Sequence, residues 1–295
     1  MLRIAHATDI HWMVPPPLRR LPGKRLLGSL NLYLKGRKSA FSREVQTALV
    51  QTIANEKPDI FVLSGDITAM ALQAEFQVAR EALAPILDKI PSFVVPGNHD
   101  LYTIGAKRDH RIEKWFGDFM ALNNNGVGVQ DIHGVRLIGL NPNKPGFFAS
   151  GLVPDEQLSS LERILEEPKS VATPIILVIH YPLISPNGNV YDGIHHGLTN
   201  ASDLISILNK ATAKPFMILH GHKHHGYRAQ VDLDTTHIPT INPGSSGMTR
   251  DERTNHTGAF NMYTVEQGVL SNISRYIWNG ENFLLEEGGP YCSGW

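Results

Sequence analysis

Five short apolar segments of this sequence are each followed at once by residues whose side chains can bind metal ions. The segments are residues 3–8, 60–64, 92–95, 175–179 and 216–220. Apolar runs of this length, bounded by turn residues, are typical of buried strands. In open α/β sheets, functional sites lie beyond the C-terminal ends of the strands. The sequence therefore predicts that one sheet edge gathers polar side chains from all five segments.

These polar side chains are carboxylates, an amide and imidazoles. They are Asp9, His11, Asp66, Asn98, His180, His222 and His224. Oxygen and nitrogen ligands without sulfur suit Mn, Fe or Zn, and the imidazoles make Mg or Ca less suitable. Seven ligands are too many for one ordinary centre, so we expect two ions bridged by Asp66, which lies centrally among the donors. Paired ions about 3.5–4 Å apart activate water and polarise a phosphoryl oxygen.

Strand and helix patterns alternate up to about residue 224, and strands then follow one another. This order predicts an α/β fold with two sheets packed face to face and helices outside. No linker or internal repeat divides the chain, so we expect a single domain over 1–295, with a strand-rich C-terminal part at about 226–295.

Residues 12–42 form an unusual insertion that is rich in arginine, lysine and leucine and has no acidic residue. Such a segment is either a solvated loop whose leucines cover the core or a cationic cap beside the site. A cap could attract a phosphate-bearing substrate or make weak contact with an acidic membrane surface. The sequence alone leaves both interpretations open.

The composition restricts the location and the partners of the protein. Cys292 is the only cysteine, so an intrachain disulfide and a cysteine-based zinc site are excluded. No signal peptide and no apolar stretch long enough to span a bilayer is evident, which predicts a cytoplasmic protein. The net charge of -1 does not favour a nucleic-acid partner, although a local basic groove stays possible. The oligomeric state is left open.

In their order along the chain, the motifs resemble those of the calcineurin-like metallophosphoesterases. The motifs are Asp9-x-His11, Gly65-Asp66, Gly97-Asn98-His99-Asp100, His180 and Gly221-His222-x-His224. The resemblance implies a four-layer α-β-β-α sandwich of two mixed sheets, with a dinuclear metal site at the strand ends. Residues 64–68 and 180–182 are similar to patterns of the bacterial branch that includes the class III cyclic-nucleotide phosphodiesterases.

The resemblance also implies how the ligands are divided between the two ions. One ion would be bound by Asp9, His11, Asp66 and His224. The other would be bound by Asp66, Asn98, His180 and His222. His99 would contact the phosphate and stabilise or protonate the leaving oxygen, while Asp100 orients its ring. An imidazole held by a carboxylate suits general acid catalysis near neutral pH.

The identity of the phosphoester is not encoded in the ligand set. We expect a metal-dependent phosphodiesterase for a cyclic nucleotide or related diester, with two divalent or mixed-valence ions (Mn and/or Fe, or Zn). The alternatives are a nuclease, a phosphomonoesterase or lipid-linked phosphoesterase, and a non-catalytic binding scaffold. Asn98 and His99 are candidates for substrate contact, and His195 and His196 either contact substrate or remain solvated.

Overall fold

Two mixed six-stranded β-sheets form the framework of the computed structural model. The structure describes residues 1–15, 40–101, 103–143, 150–192, 196–250 and 256–287. The strands of the first sheet, in spatial order, are β12 (Phe283–Leu285), β11 (Val269–Trp278), β10 (Ala259–Glu266), β1 (Leu2–Ala7), β2 (Ile60–Leu63) and β3 (Ser92–Val94). Most of the basic insertion, residues 16–39, lies outside the described residues, so its two interpretations stay open.

The second sheet is built from the middle of the chain. Its strands, in spatial order, are β4 (Gly128–Ile132), β5 (Val135–Leu140), β6 (Ile175–Ile179), β7 (Pro215–Leu219), β9 (His237–Asn242) and β8 (Tyr227–Asp232). β5, β6, β7 and β9 run parallel, as do β1, β2 and β3 of the first sheet. Their C-terminal ends therefore lie at one edge of each sheet.

The helices cover the outer faces of the two sheets. They are α1 (Arg43–Glu56), α2 (Gln73–Leu87), α3 (Ile104–Arg108), α4 (Arg111–Phe116), α5 (Asp155–Glu166), α6 (Pro168–Ala172) and α7 (Ala201–Lys210). α4 is short, because at Gly117 the chain enters a 3₁₀ turn over Gly117–Phe119. None of the helices in the described ranges is long and apolar enough to cross a membrane.

Three apolar layers hold these elements together, and they confirm the predicted architecture. Ile4 and Val62 of the first sheet pack against Val178 and Leu219 of the second, which places one core between the sheets. A second core lies between the first sheet and α1, α2 and α4, and a third between the second sheet and α5 and α7. The result is two mixed sheets packed face to face with helices outside.

A buried carboxyl group on α2 holds the loop that precedes this helix. Glu75 is fully buried, and its Oε2 accepts hydrogen bonds from Met70 N and Leu72 N at 2.9 and 3.0 Å. Burial raises the pKa of Glu75 to about 7, above its ordinary value of 4.5. Because the folded-state pKa exceeds the unfolded one, Glu75 stabilises the fold at low pH, and this contribution is lost as pH rises from about 4.5 through 7.

We therefore expect Glu75→Gln, which cannot lose a proton, to gain stability relative to the wild type as pH rises. The difference in the free energy of unfolding should grow by about 1–3 kcal/mol between pH 5 and pH 8. Urea unfolding of both proteins in the presence of a chelator measures this difference without a contribution from bound metal. A difference that is constant with pH would contradict the assignment.

Candidate metal centre

Polar side chains from both sheets converge where the parallel strands end. Asp9 and His11 follow β1, Asp66 follows β2, and Asn98 follows β3. From the second sheet, His180 follows β6, and His222 and His224 follow β7. Contacts connect all seven expected ligand residues into one cluster, in which His222 N donates to Asp9 Oδ2 at 2.9 Å.

Four of these residues form a compact group. One ligand atom from each of Asp9, His11, Asp66 and His224 lies within 4.8 Å of the others. His224 Nε2 is 3.2 Å from Asp9 Oδ1 and 3.1 Å from His11 Nε2. Ligands that share one ion at about 2.1 Å lie roughly 3.0–3.5 Å apart. His224 Nε2 is therefore spaced from each of these two atoms like a neighbouring ligand of one cation, while Asp9 Oδ1 and His11 Nε2 lie 3.8 Å apart.

The remaining expected ligands lie on the other side of Asp66. His222 Nδ1 is 2.9 Å from Asn98 Oδ1, and His180 Nε2 is 3.4 Å from Asp66 Oδ2. Asp66 Oδ2 is also 3.8 Å from His11 Nε2. The same carboxylate oxygen thus lies within 4 Å of an imidazole from each group. Its other oxygen accepts a hydrogen bond from His99 N at 2.7 Å, which fixes the orientation of the carboxylate.

Several buried polar atoms of the cluster are suited to bind a cation. Asp9 Oδ1, His180 Nε2 and His222 Nε2 are buried and have no hydrogen-bond partner among the described residues. Leaving such atoms unsatisfied costs about 1–3 kcal/mol each. His180 Nδ1 is 2.7 Å from Ser64 O, and because a carbonyl only accepts, Nε2 carries the lone pair when this ring is neutral. Lone pairs of buried imidazoles and carboxylates that face one another fit divalent cations.

The charge states of the cluster also suit cation binding. Although burial alone would raise the pKa of Asp66, the nearby His180 and His99 hold it well below its ordinary value. Burial lowers the pKa of His11 to about 3 and that of His222 well below 6.5. Burial opposes a proton on His180, yet the negative charge of Asp66 raises its pKa to about 9. Metal binding would displace this proton, since a ligand imidazole must be neutral.

The backbone at these positions adopts an unusual conformation. Asp9, His11, Asp66, His222 and His224 have φ between 51° and 74°. Residues other than glycine rarely adopt this left-handed region, and they do so at a cost that the surrounding structure must offset. The clustering of five such residues at one place indicates that the turns are shaped to aim side chains into the centre.

The expectation that Asp100 orients the ring of His99 is wrong. His99 Nδ1 lies 2.6 Å from Ala69 O, so a main-chain carbonyl fixes the ring. The Asp100 carboxylate is fully buried and instead accepts hydrogen bonds from the main-chain N–H groups of Ile67, Thr68 and Gly97. It also accepts one from Thr68 Oγ1 at 3.0 Å. These four donors occupy its lone pairs, so Asp100 joins the turn after β2 to the turn after β3.

The structure places one of the two loop histidines near the cluster. The ring of His196 is exposed and lies 5.8 Å from the ring of His222. His195 lies outside the described residues. Sequence reasoning missed Phe41, whose ring lies 4.7 Å from that of His11 and 5.8 Å from that of His224. It also missed Thr8, whose hydroxyl donates to Asp9 Oδ2 at 2.8 Å.

Comparison with known proteins agrees with this geometry. The family model described as calcineurin-like phosphoesterase matches residues 2–226, which contain every residue of the cluster. The chain belongs to the calcineurin-like phosphoesterase family. It is therefore a hydrolase that acts on phosphoester bonds, and the cluster around Asp66 implies that divalent metal ions bind to this phosphoesterase.

The relatives of this phosphoesterase carry names of phosphodiesterases. It is 33% identical over 126 residues to a probable glycerophosphodiester phosphodiesterase of Arcobacter nitrofigilis, a match covering 43% of this chain and 42% of that protein. It is 24% identical to a probable cyclic nucleotide phosphodiesterase of Vesicomyosocius okutanii, over 78% of this chain and 87% of the relative. The first match thus spans less than half of the relative's length.

Two solved structures share the fold of this phosphoesterase. A dimetal phosphatase from Danio rerio superposes with a TM-score of 0.61 at 14% identity, over 96% of this chain and 98% of the other. A purple acid phosphatase from yellow lupin gives a TM-score of 0.60 at 14% identity, over 98% of this chain and 52% of the other. At this identity the likeness shows the fold alone.

Proposed function

We propose that this phosphoesterase is a phosphodiesterase that works with two metal ions bound at the strand ends. The first ion would be held by Asp9, His11, Asp66 and His224. The second would be held by Asp66, Asn98, His180 and His222. The observation that carries this proposal is the position of Asp66 Oδ2, 3.8 Å from His11 Nε2 and 3.4 Å from His180 Nε2. A carboxylate oxygen placed between two sets of ligands is suited to bridge two cations.

The chemistry follows from this arrangement. A bound pair of manganese or iron ions, or of zinc, supplies Lewis acidity toward water and toward a phosphoryl oxygen. The residues of the chain orient the substrate beside them and move protons. His99 is half-buried, its ring lies 4.8 Å from that of His11, and its Nδ1 donates to Ala69 O. Its Nε2 is thereby oriented to protonate the departing oxygen of the ester.

The diester preference is supported by the names of the relatives, two of which are a probable glycerophosphodiester phosphodiesterase and a probable cyclic nucleotide phosphodiesterase. The test is hydrolysis of bis-p-nitrophenyl phosphate and of p-nitrophenyl phosphate after chelation and re-addition of Mn²⁺. We expect manganese to restore diester turnover with little monoester turnover. A preference for the monoester would contradict the proposal. A panel of cyclic nucleotides would then identify the natural class of diester.

His99→Ala should slow catalysis while leaving the metal ions in place. General acid catalysis typically contributes 10²–10⁴-fold, so we expect kcat to fall by about this factor. The loss should be larger for diesters with poor leaving groups, because these need protonation most. A series of substituted phenyl diesters measures this dependence. His237→Ala, which removes an exposed histidine outside the cluster, is the matched control. Equal losses for all leaving groups would contradict a role in protonation.

We extend the proposal to His196 as a substrate contact, because its exposed ring lies beside that of His222. His196→Ala should raise KM several-fold and leave kcat within twofold, the pattern of an interaction made equally in ground and transition states. Steady-state kinetics with bis-p-nitrophenyl phosphate measures both constants. An unchanged KM would show that this side chain does not contact the substrate.

A further inference from the structure

The chain crosses from the second sheet to the first between β9 and β10. The beginning of this crossover, residues 242–247, is defined here as the strap. Its side chains Asn242, Ser245 and Ser246 are fully buried, although all three are polar. Buried polar groups cost free energy unless they are hydrogen-bonded, so their partners show what the strap does.

On one side the strap binds the turn that carries Asp9. Ser245 Oγ donates to Asp9 O at 2.7 Å. Ser246 N donates to Thr8 O at 2.8 Å, and Thr8 N donates to Ser246 Oγ at 3.1 Å. A Cβ atom added at Gly247 would collide with Ile10 O, which shows how closely the two main chains approach. The strap therefore fixes residues 8–10 of the first sheet.

On the other side the strap binds the turn that carries His222 and His224. Ser245 N donates to His224 O at 3.3 Å, and Asn242 Nδ2 donates to Gly221 O at 2.8 Å. The Asn242 amide is itself oriented, because its Oδ1 accepts from Gly244 N at 2.8 Å. Ser245 thus forms hydrogen bonds to the main chain of two expected ligands. The Ser245 hydroxyl donates to Asp9 O, and the Ser245 N–H donates to His224 O.

These two ligands come from different sheets, and apolar packing between sheets is not directional. Yet Asp9 Oδ1 and His224 Nε2 lie only 3.2 Å apart, with φ of 51° and 56° at the two residues. We propose that Ser245 and Ser246 are positioning residues, which set the distance between the Asp9 and His224 turns and so the affinity of the first metal ion. This inference rests on the ligand assignment of the proposed function.

The test compares Ser245→Ala with Ser92→Ala, which is the matched control. Ser92 is 3% exposed, and its Oγ also donates to a carbonyl, Ile90 O, at 2.7 Å. It lies at the N-terminal end of β3, opposite the metal centre. Binding of Mn²⁺ is followed by the electron paramagnetic resonance of the free ion. Ser245→Ala should raise the Kd of one of the two ions by about 10–100-fold and change the Kd of the other less than threefold. Ser92→Ala should change both Kd values less than threefold.

Two further variants assign the effect to the first ion. Ser246→Ala should raise the Kd of the same ion at least threefold, because Thr8 N loses its acceptor. If Ser245→Ala does not fold, this variant tests the proposal. In a His224→Ala background, which should retain only the second ion, adding Ser245→Ala should change the affinity less than threefold.

The outcomes separate the two proposals. One outcome would overturn the positioning role alone. In it, the wild type binds two ions, and Ser245→Ala either has the same Mn²⁺ affinities as Ser92→Ala or loses affinity for both ions equally. Wild-type protein that binds fewer than two ions would overturn the proposed function and the positioning role together.

Discussion

Asp66→Asn should lower turnover of a phosphodiester by about 10³-fold or more, the largest effect that we expect from a change that conserves side-chain volume. The amide keeps one oxygen but loses the negative charge that two cations would share. Its nitrogen could also replace Oδ2, the oxygen that lies within 4 Å of both His11 and His180. We expect kcat to fall and at least one ion to be lost per chain.

The matched control for this substitution is Asp59→Asn. Asp59 precedes the same strand, β2, at its opposite end, is exposed, and accepts a hydrogen bond from Arg3 N. This variant should keep kcat within twofold and bind as many ions as the wild type. Rates are measured with bis-p-nitrophenyl phosphate and saturating Mn²⁺. Full activity of Asp66→Asn would contradict a bridging carboxylate.

Gly97→Ala should disrupt the centre although the substitution adds only one methyl group. A Cβ atom at residue 97 would collide with the main-chain N and the Oδ1 of Asp66. Gly65 is equally constrained, because its Cβ would lie 2.6 Å from Gly97 N and 2.7 Å from His180 Nδ1. The turns after β2 and β3 therefore approach each other so closely that a Cβ atom fits at neither position. A displacement of about 1 Å at a catalytic group can cost 10²-fold, and we expect a loss of at least this size in kcat/KM.

The same substitution at Gly117 gives the control. Gly117 has φ of −56° and ψ of −38°, which alanine adopts readily, and no atom lies within 4 Å of a Cβ built there. Gly117→Ala should keep wild-type activity and gain up to about 1 kcal/mol of stability. Both variants are measured by kcat/KM and by the metal bound per chain. Wild-type activity of Gly97→Ala would show that the contact with Asp66 is not required.

Much of the architecture followed from sequence patterns because strands and helices have different periods. Strands were expected at residues 60–64 and 175–179, and β2 and β6 are found there. The gathering of polar residues at one edge was predictable for a similar reason, since parallel strands direct their C-terminal ends the same way. Apolar runs followed by Asp, Asn or His therefore indicate the candidate centre from the sequence.

The parts that sequence reasoning missed depend on main-chain contacts. The role of Asp100 was misassigned because its partners are the N–H groups of Ile67, Thr68 and Gly97, which every residue type except proline provides. The carbonyl of Ala69, which binds His99, carries no sequence signal for the same reason. The left-handed backbone at Asp66 was equally hidden, since this conformation is unfavourable for aspartate alone and is imposed by the surrounding turns.

The most direct test of the account is the number of metal ions that each chain binds. Wild-type protein, His180→Ala and His224→Ala would be dialysed to equilibrium against Mn²⁺, and bound metal would be measured by inductively coupled plasma mass spectrometry. We expect two ions in the wild type and one in each variant, because His180 and His224 lie in different ligand groups that share Asp66. One ion or none in the wild type, or two ions in both variants, would contradict a dinuclear centre at this edge of the sheets.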